Sequence, residues 1–146
     1  MAPPAARPRL AGPPGRLLFA VAALPVLVRA AARVDRLLRR VPLEELPVRL
    51  RDVPPFAASW LRRPADLDAV LARLLPLLPP RRTGRCLKRS LVLLDLWSRC
   101  GLAPRLHVGV RRPGEGTLEA HAWVTTGAPE LDRRSGPAGH RELWSA

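Results

Sequence analysis

The chain has 146 residues, of which 47% are hydrophobic, and this suits one domain with an ordinary core. Its formal net charge is +13, but no aromatic-interleaved basic patch or DNA-binding motif accompanies the charge, so we expect a solvated arginine-rich surface and no nucleic-acid partner. Two cysteines exclude a disulfide framework, and two free thiols favour a reducing, cytoplasmic compartment.

The first part of the chain predicts a flexible arm followed by a helix. Residues 1–16 are rich in Pro, Ala, Arg and Gly, which is typical of a disordered arm. Residues 17–28 carry no charge, but this run is shorter than the roughly 20 residues that cross a bilayer. We interpret it as the start of an amphipathic helix, bent near Pro25, and expect no membrane partner. A signal peptide is the alternative, because arginines precede the apolar run and small residues follow it.

Prolines divide the rest of the N-terminal helical region, which we assign to residues 17–80. Residues 41–63 contain several prolines and predict a connector with short helical turns. Pro64, with acidic residues directly after it, has the composition of a helix start. We therefore expect a second helix from Pro64 that ends near Pro76.

Residues 81–146 form the part of the chain in which we expect the chemistry. Cys86 begins an apolar helical run, and Gly101 is placed to cap its end. A cysteine at a helix N-terminus lies at the positive end of the macrodipole, beside unpaired backbone N–H groups. Both features favour the thiolate, which is the nucleophilic form. The alternative for Cys86 is a small buried core residue without chemistry.

After this helix the hydrophobic period changes from helical to alternating. Residues 106–110 and 118–124 each alternate, and a Pro- and Gly-rich turn signal lies between them, so they predict an antiparallel hairpin. Residues 129–133 predict a third short strand, followed by a loose tail. We therefore expect an α+β fold in which the cysteine helix packs on a small antiparallel sheet, with the N-terminal helices beside it.

His121, in the second predicted strand, is the candidate partner of Cys86. A neighbouring imidazole takes the thiol proton during nucleophilic attack. A third residue should orient the imidazole through its second ring nitrogen. Asp132 is the leading candidate and Glu130 the competitor, because alternation would turn only one of them to the correct face. The alternative for His121 is a strand histidine that is merely hydrogen-bonded.

The other cysteine and histidines receive structural roles. Cys100 lies near the apolar end of the cysteine helix, where we expect it to be structural. His107 and His140 have no evident partners in the sequence, which favours surface or local hydrogen-bonding roles. A zinc site built from Cys86, Cys100, His107 and His121 is an alternative, but no Cys-x-x-Cys or His-x-x-x-His spacing supports it, so we expect no metal.

Several segments of this region together resemble the lasso peptide biosynthesis B2 protein family, whose members are transglutaminase-like, papain-type cysteine peptidases. These segments are CLKRSL from Cys86, Gly101-Leu102, LHVGV from Leu106 and AHAWV from Ala120. The resemblance implies a peptidase core over residues 81–146, with Cys86 as the nucleophile, His121 as the base and Asp132 as the third member. It also implies cleavage of the leader segment from a ribosomally made precursor peptide, without a metal or organic cofactor.

The resemblance also implies protein partners. In that family a separate small protein holds the leader, and an ATP-using cyclase closes the macrolactam on the released core peptide. We expect residues 17–80 to help dock the leader-recognition protein, with Phe56 and Trp60 as candidates and ordinary packing as the alternative. Residues 127–132 are only loosely like the family pattern. A non-catalytic adaptor, acyl transfer to an amine and a nucleic-acid-binding module are the alternative functions.

Overall fold

The computed structural model describes residues 13–78, 84–114, 116–133 and 139–146. Its helices are α1 (Pro13–Leu38), α2 (Leu46–Arg51), α3 (Pro64–Leu74), α4 (Arg85–Arg99) and α5 (Pro129–Asp132), with single 3-10 turns at Ser59–Leu61 and Leu75–Leu77. Its strands are β1 (Arg105–Gly114), β2 (Thr117–Thr125) and β3 (Arg141–Ser145). Most of the predicted arm lies outside the described residues, and α1 begins within its last few positions, at Pro13.

The first helix, α1, is a wall of the hydrophobic core. It is continuous through Pro25, as the apolar pattern predicted, and its inner face is buried at Phe19, Ala23, Leu27, Ala31 and Val34. Gly15–Leu38 is also long and apolar enough to cross a membrane, and 33% of its most apolar window is buried. Core helices of soluble proteins meet the same criterion, and the packing of the inner face is consistent with such a protein.

The cysteine helix, α4, lies at the centre of the molecule. It contacts α1, α2, α3, β1 and β2. Its middle is buried on all sides, which is the pattern of a helix surrounded by other elements; the buried apolar residues are Leu91, Val92, Leu93, Leu94, Leu96 and Trp97. Gly101 follows the helix with a φ of +84°, a left-handed conformation that favours glycine at a helix end, as predicted.

The three strands form one antiparallel sheet in the order β2-β1-β3. In the β1–β2 hairpin, His107 pairs with Trp123 and Gly109 pairs with His121. The apolar face of the sheet, with Leu106, Ala122 and Val124, belongs to the core that α4 occupies. The predicted α+β class, with a cysteine helix beside a small antiparallel sheet, is confirmed.

The third strand lies elsewhere than predicted. The expectation of a strand over residues 129–133 is wrong, because this segment is the short helix α5. Pro129 occupies its first turn together with Glu130 and Asp132, and proline and acidic residues stabilise a helix N-terminus. The third strand is β3, in the segment that we expected to be a loose tail.

A single hydrophobic cluster spans both of the predicted regions. It extends from Phe19 in α1 to Leu131 in α5. Phe56 belongs to this cluster and is 8% exposed, so the expectation of an exposed docking residue is wrong there and the packing alternative is correct. Trp60 is 46% exposed, and its ring meets that of Phe19 edge-on at 6.0 Å.

Candidate active site

Cys86 is the second residue of α4 and is half-buried. Gly84 precedes the helix, and no side chain caps the first turn. A side chain on a helix leans toward the N-terminus, and the Cys86 Sγ lies 3.8 Å from the position of a Cβ atom built on Gly84. The thiol therefore lies at the open, positive end of the helix, where backbone N–H groups and the macrodipole favour an anion.

His121 projects from β2 into a cluster of rings and cations. Its ring stacks on Trp123 at 6.0 Å and lies against His140 at 4.9 Å, measured between ring centroids. Burial lowers the pKa of His121 below its usual 6.5, and the nearby charges of His140, Arg89 and Arg111 lower it further. The imidazole is therefore neutral over a wider range of pH, and the neutral form is the one that accepts a proton.

Trp123 holds the ring cluster together. It is 4% exposed and lies between His121 and His107, with His107 stacked on it at 5.4 Å and an interplanar angle of 8°. The indole covers Gly109, where a Cβ atom would approach Trp123 to 2.9 Å and the backbone oxygen of Arg141 to 2.6 Å. The glycine in β1 and the tryptophan in β2 are therefore two parts of one packing arrangement.

The helix and the strand that carry the two candidate residues are joined by a buried hydrogen bond. The Ser90 hydroxyl donates to the backbone oxygen of Ala122 at 3.0 Å. Ser90 lies one helical turn after Cys86, and Ala122 directly follows His121. This bond joins the helix that carries Cys86 to the strand that carries His121, and no hydrogen bond links the thiol to the imidazole in this structure. Such contacts are often long before substrate binds.

Asp132 is held by the turn that follows β2. Its carboxylate accepts hydrogen bonds from the Thr126 N–H at 2.8 Å, the Thr126 hydroxyl at 3.1 Å and the Gly127 N–H at 3.0 Å. The expected contact between Asp132 and His121 is not formed. The competitor, Glu130, is exposed on α5. Neither candidate acid therefore orients the His121 ring in this structure.

The two remaining histidines both have neighbours that the sequence did not reveal. His107 lies 2.8 Å from Glu142 through Nδ1 and 2.8 Å from Thr125 through Nε2. The hydrogen bond from His107 is the main reason why the pKa of Glu142 is lowered. His140 has its ring against His121, while its Nδ1 atom is buried and has no hydrogen-bond partner. Sequence reasoning missed the contact of His140 with His121, because no periodicity or motif marks it.

Cys100 lies at the opposite end of α4 from Cys86. It caps the C-terminal end of α4, and its thiol lies 3.9 Å from the backbone oxygen of Leu61. Burial raises the pKa of the Cys100 thiol to about 11, an effect that the positive charge of Arg62 partly offsets. Cys100 therefore stays a neutral thiol at physiological pH, as a structural residue would.

The candidate site shows no metal-binding group. Within the part of the chain that the structure describes, no three side chains of His, Cys, Asp or Glu are grouped so that they could hold a metal ion. The zinc alternative, which required Cys86, Cys100, His107 and His121 together, has no support from this geometry.

The structure combines a cysteine at the N-terminal end of a central helix with a histidine in a strand of a small antiparallel sheet, in an α+β fold. The model of the transglutaminase-like superfamily matches residues 20–144, and the chain belongs to this superfamily. The superfamily includes cysteine peptidases and transglutaminases. No curated protein and no solved structure matches the chain. The match spans α1 to β3, so the N-terminal helices are part of the matched domain.

Proposed function

We propose that this protein is a cytoplasmic cysteine peptidase that removes the leader segment from a ribosomally made lasso precursor peptide. The observation that carries the proposal is the helix–strand junction. Cys86 lies at the start of α4, and the Ser90–Ala122 hydrogen bond joins that helix to the strand that carries His121, which supports the proposal. The resemblance of the segments around Cys86 and His121 to the B2 proteins supplies the substrate class.

The proposed reaction is hydrolysis of one peptide bond through a thioester. His121 takes the proton of the Cys86 thiol, and the sulfur attacks the scissile carbonyl carbon. The C–N bond breaks, and His121 gives the proton to the departing amine of the core peptide. Water then attacks the thioester with His121 as the base, which releases the leader acid and restores the thiol. The Cys86 N–H, at the open end of α4, is placed to donate to the developing oxyanion.

Asp132 is proposed from the sequence as the residue that orients His121. For this role its carboxylate would have to leave at least one of its hydrogen bonds to Thr126 and Gly127. Each such bond contributes about 1 kcal/mol, and more where a charged acceptor is involved. The proposed mechanism therefore depends mainly on Cys86 and His121, and the orienting residue has a supporting role.

A leader-recognition protein and the macrolactam-forming cyclase are the proposed partners. The outward face of α1 is the surface that we propose for the recognition protein, because it exposes a row of large apolar side chains: Leu17, Leu18, Val21, Leu24 and Val28. Leu17, Val21 and Leu24 border a groove of about 240 Å³ between α1 and α3, and the charged residue that lines the groove is Arg73. A partner segment with apolar and acidic residues would complement this surface.

Cleavage of a precursor peptide in the presence of its recognition protein tests the proposal. We expect the wild-type chain to release the leader, and Cys86→Ala and His121→Ala to abolish release while the thermal unfolding temperature stays close to that of the wild type. Cys100→Ala is the matched control and should keep activity. Mass spectrometry of the leader distinguishes hydrolysis from acyl transfer, since transfer would leave an added amine. Full activity of Cys86→Ala would sink the proposal.

The non-catalytic adaptor is the second candidate, favoured by the absence of a hydrogen bond between Cys86 and His121. Iodoacetamide labelling at pH 7–8, followed site by site, separates the two functions. A peptidase should label at Cys86 well before Cys100, whose thiol has a pKa of about 11, and His121→Ala should slow the reaction at Cys86. An adaptor should show no effect of His121→Ala on labelling.

A further inference from the structure

The residue that orients His121 is the missing part of the candidate site. An imidazole that serves as a base needs a hydrogen-bond acceptor on its second ring nitrogen, since this contact fixes the tautomer and the ring plane. The three hydrogen bonds that Asp132 accepts from Thr126 and Gly127 engage both of its carboxylate oxygens. Glu130 is exposed. The acceptor must therefore be sought among the groups that already touch His121.

His140 is the polar side chain in ring contact with His121. Their centroids are 4.9 Å apart and their planes are tilted by 32°. The sheet explains this contact: His140 directly precedes β3, and on the intervening strand β1 the residue paired with His121 is Gly109. Because Gly109 has no side chain, β1 places no Cβ at the position that is paired with His121.

The ring nitrogen of His140 is also left without a partner. Its Nδ1 atom is buried and makes no hydrogen bond, in a structure whose other such side-chain atom among the described residues is Nε of Arg89. A buried polar atom without a partner is costly, so its presence calls for a functional explanation. A hydrogen bond of about 3 Å between two ring nitrogens places the ring centroids about 5 Å apart, close to the separation observed. Rotation about the soft χ2 torsion would complete the bond without moving the backbone.

We infer that His140 is the positioning residue of the site: its ring accepts the N–H of His121 through Nδ1, which leaves the other nitrogen of His121 available as the base. This inference rests on the proposed peptidase function. The proton stays on His121 in the resting state, and His140 neither gains nor loses one during the reaction. The positive charges of Arg89 from α4 and Arg111 from β1 also act on His121. Two protonated histidines beside them would add to this positive charge.

The first test measures the protonation of the two His121 ring nitrogens directly and needs no substrate. In the full chain, ¹⁵N chemical shifts of the ring nitrogens report the tautomer and the titration of His121. We expect one tautomer in the wild type. His140→Ala should give a mixture of tautomers, because the acceptor that selects one of them is removed. His140→Gln keeps a hydrogen-bond acceptor that does not titrate, and should preserve the tautomer. His107→Gln is the matched control, because His107 touches Trp123 and not His121 in the ring stack.

The second test measures kcat and KM for cleavage of the precursor peptide in the presence of its recognition protein. We expect His140→Ala to lower kcat on the order of 10²-fold, the lower end of what a misplaced general base costs, with little change in KM. His140→Gln should recover much of kcat and retain it to lower pH, since its side chain cannot be protonated. A residue needed only for folding would lower the amount of folded enzyme and leave the pH profile of the remainder unchanged.

The failure of this inference is distinguishable from failure of the proposed function. If His140→Ala leaves the tautomer and titration of His121 as in the wild type while Asp132→Asn alters them, Asp132 is the orienting residue and the inference is overturned. If the wild-type chain cleaves no precursor, the peptidase proposal fails whatever the ring nitrogens show. Should His140→Ala fold poorly, the comparison of His140→Gln with the wild type across pH decides the matter, because an unshifted profile overturns the inference.

Discussion

At the scale of single residues, the candidate site depends on one close approach between strands. The Trp123 ring lies over Gly109, and the backbone oxygen of Arg141 comes near the same point from the other side. This arrangement keeps Trp123 buried between His107 and His121. Glycine at position 109 therefore allows Trp123, and the His121 ring stacked on it, to keep their positions.

Gly109→Ala should accordingly destabilise the protein and disturb the site. The added Cβ would lie 2.6 Å from a backbone oxygen and 2.9 Å from the indole, distances at which something must move. We expect a loss of about 1–3 kcal/mol in the free energy of unfolding, the usual cost of overpacking, measured by urea denaturation. Gly114→Ala is the matched control, because its Cβ would meet its nearest atom at 4.0 Å. Equal stability of the two variants would contradict this account.

The same residues show what the sequence could and could not predict. The positions of Cys86 at a helix start and of His121 in a strand were predictable, because both depend on local patterns. The contact of His140 with His121 was not, since it depends on the pairing of β3 with β1, and β3 has weak alternation with one partly buried side chain, Trp144. The role of Asp132 in the turn was also hidden, because proline and acids at a helix start were interpreted as a strand.

At the scale of elements, charged side chains fasten α1 to the central helix. The Asp95 carboxylate, which is 0% exposed, pairs with Arg33 of α1 and with Arg99 of its own helix. A second bridge joins Lys88 of α4 to Asp35 of α1 at 3.1 Å. These ion pairs join α4 to α1 at two points, and Lys88 lies two residues after Cys86.

Removal of the Asp95 carboxylate should be costly for stability. Asp95→Ala leaves two cations facing a small cavity, and we expect a loss of about 3 kcal/mol in the free energy of unfolding, the low end for a broken buried pair, because both arginines reach solvent. Asp66→Ala is the control, since its pair with Arg63 is partly exposed and should contribute less than about 1 kcal/mol. A double-mutant cycle with Arg33→Ala should show coupling above about 0.5 kcal/mol, and additive effects would contradict the assignment.

At the scale of the whole molecule, one core serves the helices and the sheet, and the outward face of α1 exposes several large apolar side chains. The buried cluster joins α1 to α5, so the predicted boundary at residues 80–81 separates two regions that share a core. The outward face of α1 remains exposed, with Leu17 at 68%, Leu18 at 72% and Val21 at 59%. Together with Leu77, which is 80% exposed at the far wall of the groove, this face is a contiguous apolar surface.

Polar substitutions on this face should separate assembly from stability. Leu17→Gln combined with Val21→Gln removes apolar groups that are already in water, so we expect a change within about 0.5 kcal/mol in the free energy of unfolding. If the recognition protein docks here, its affinity for the variant, measured by calorimetry, should fall at least 10-fold, and cleavage should need more of it to reach half its maximal rate. Val48→Gln is the matched control, because Val48 is 63% exposed on α2, away from the groove. Unchanged affinity of the Leu17/Val21 variant would place the docking surface elsewhere on the molecule, whereas weakened binding with an intact fold would assign it to the uncovered face of α1.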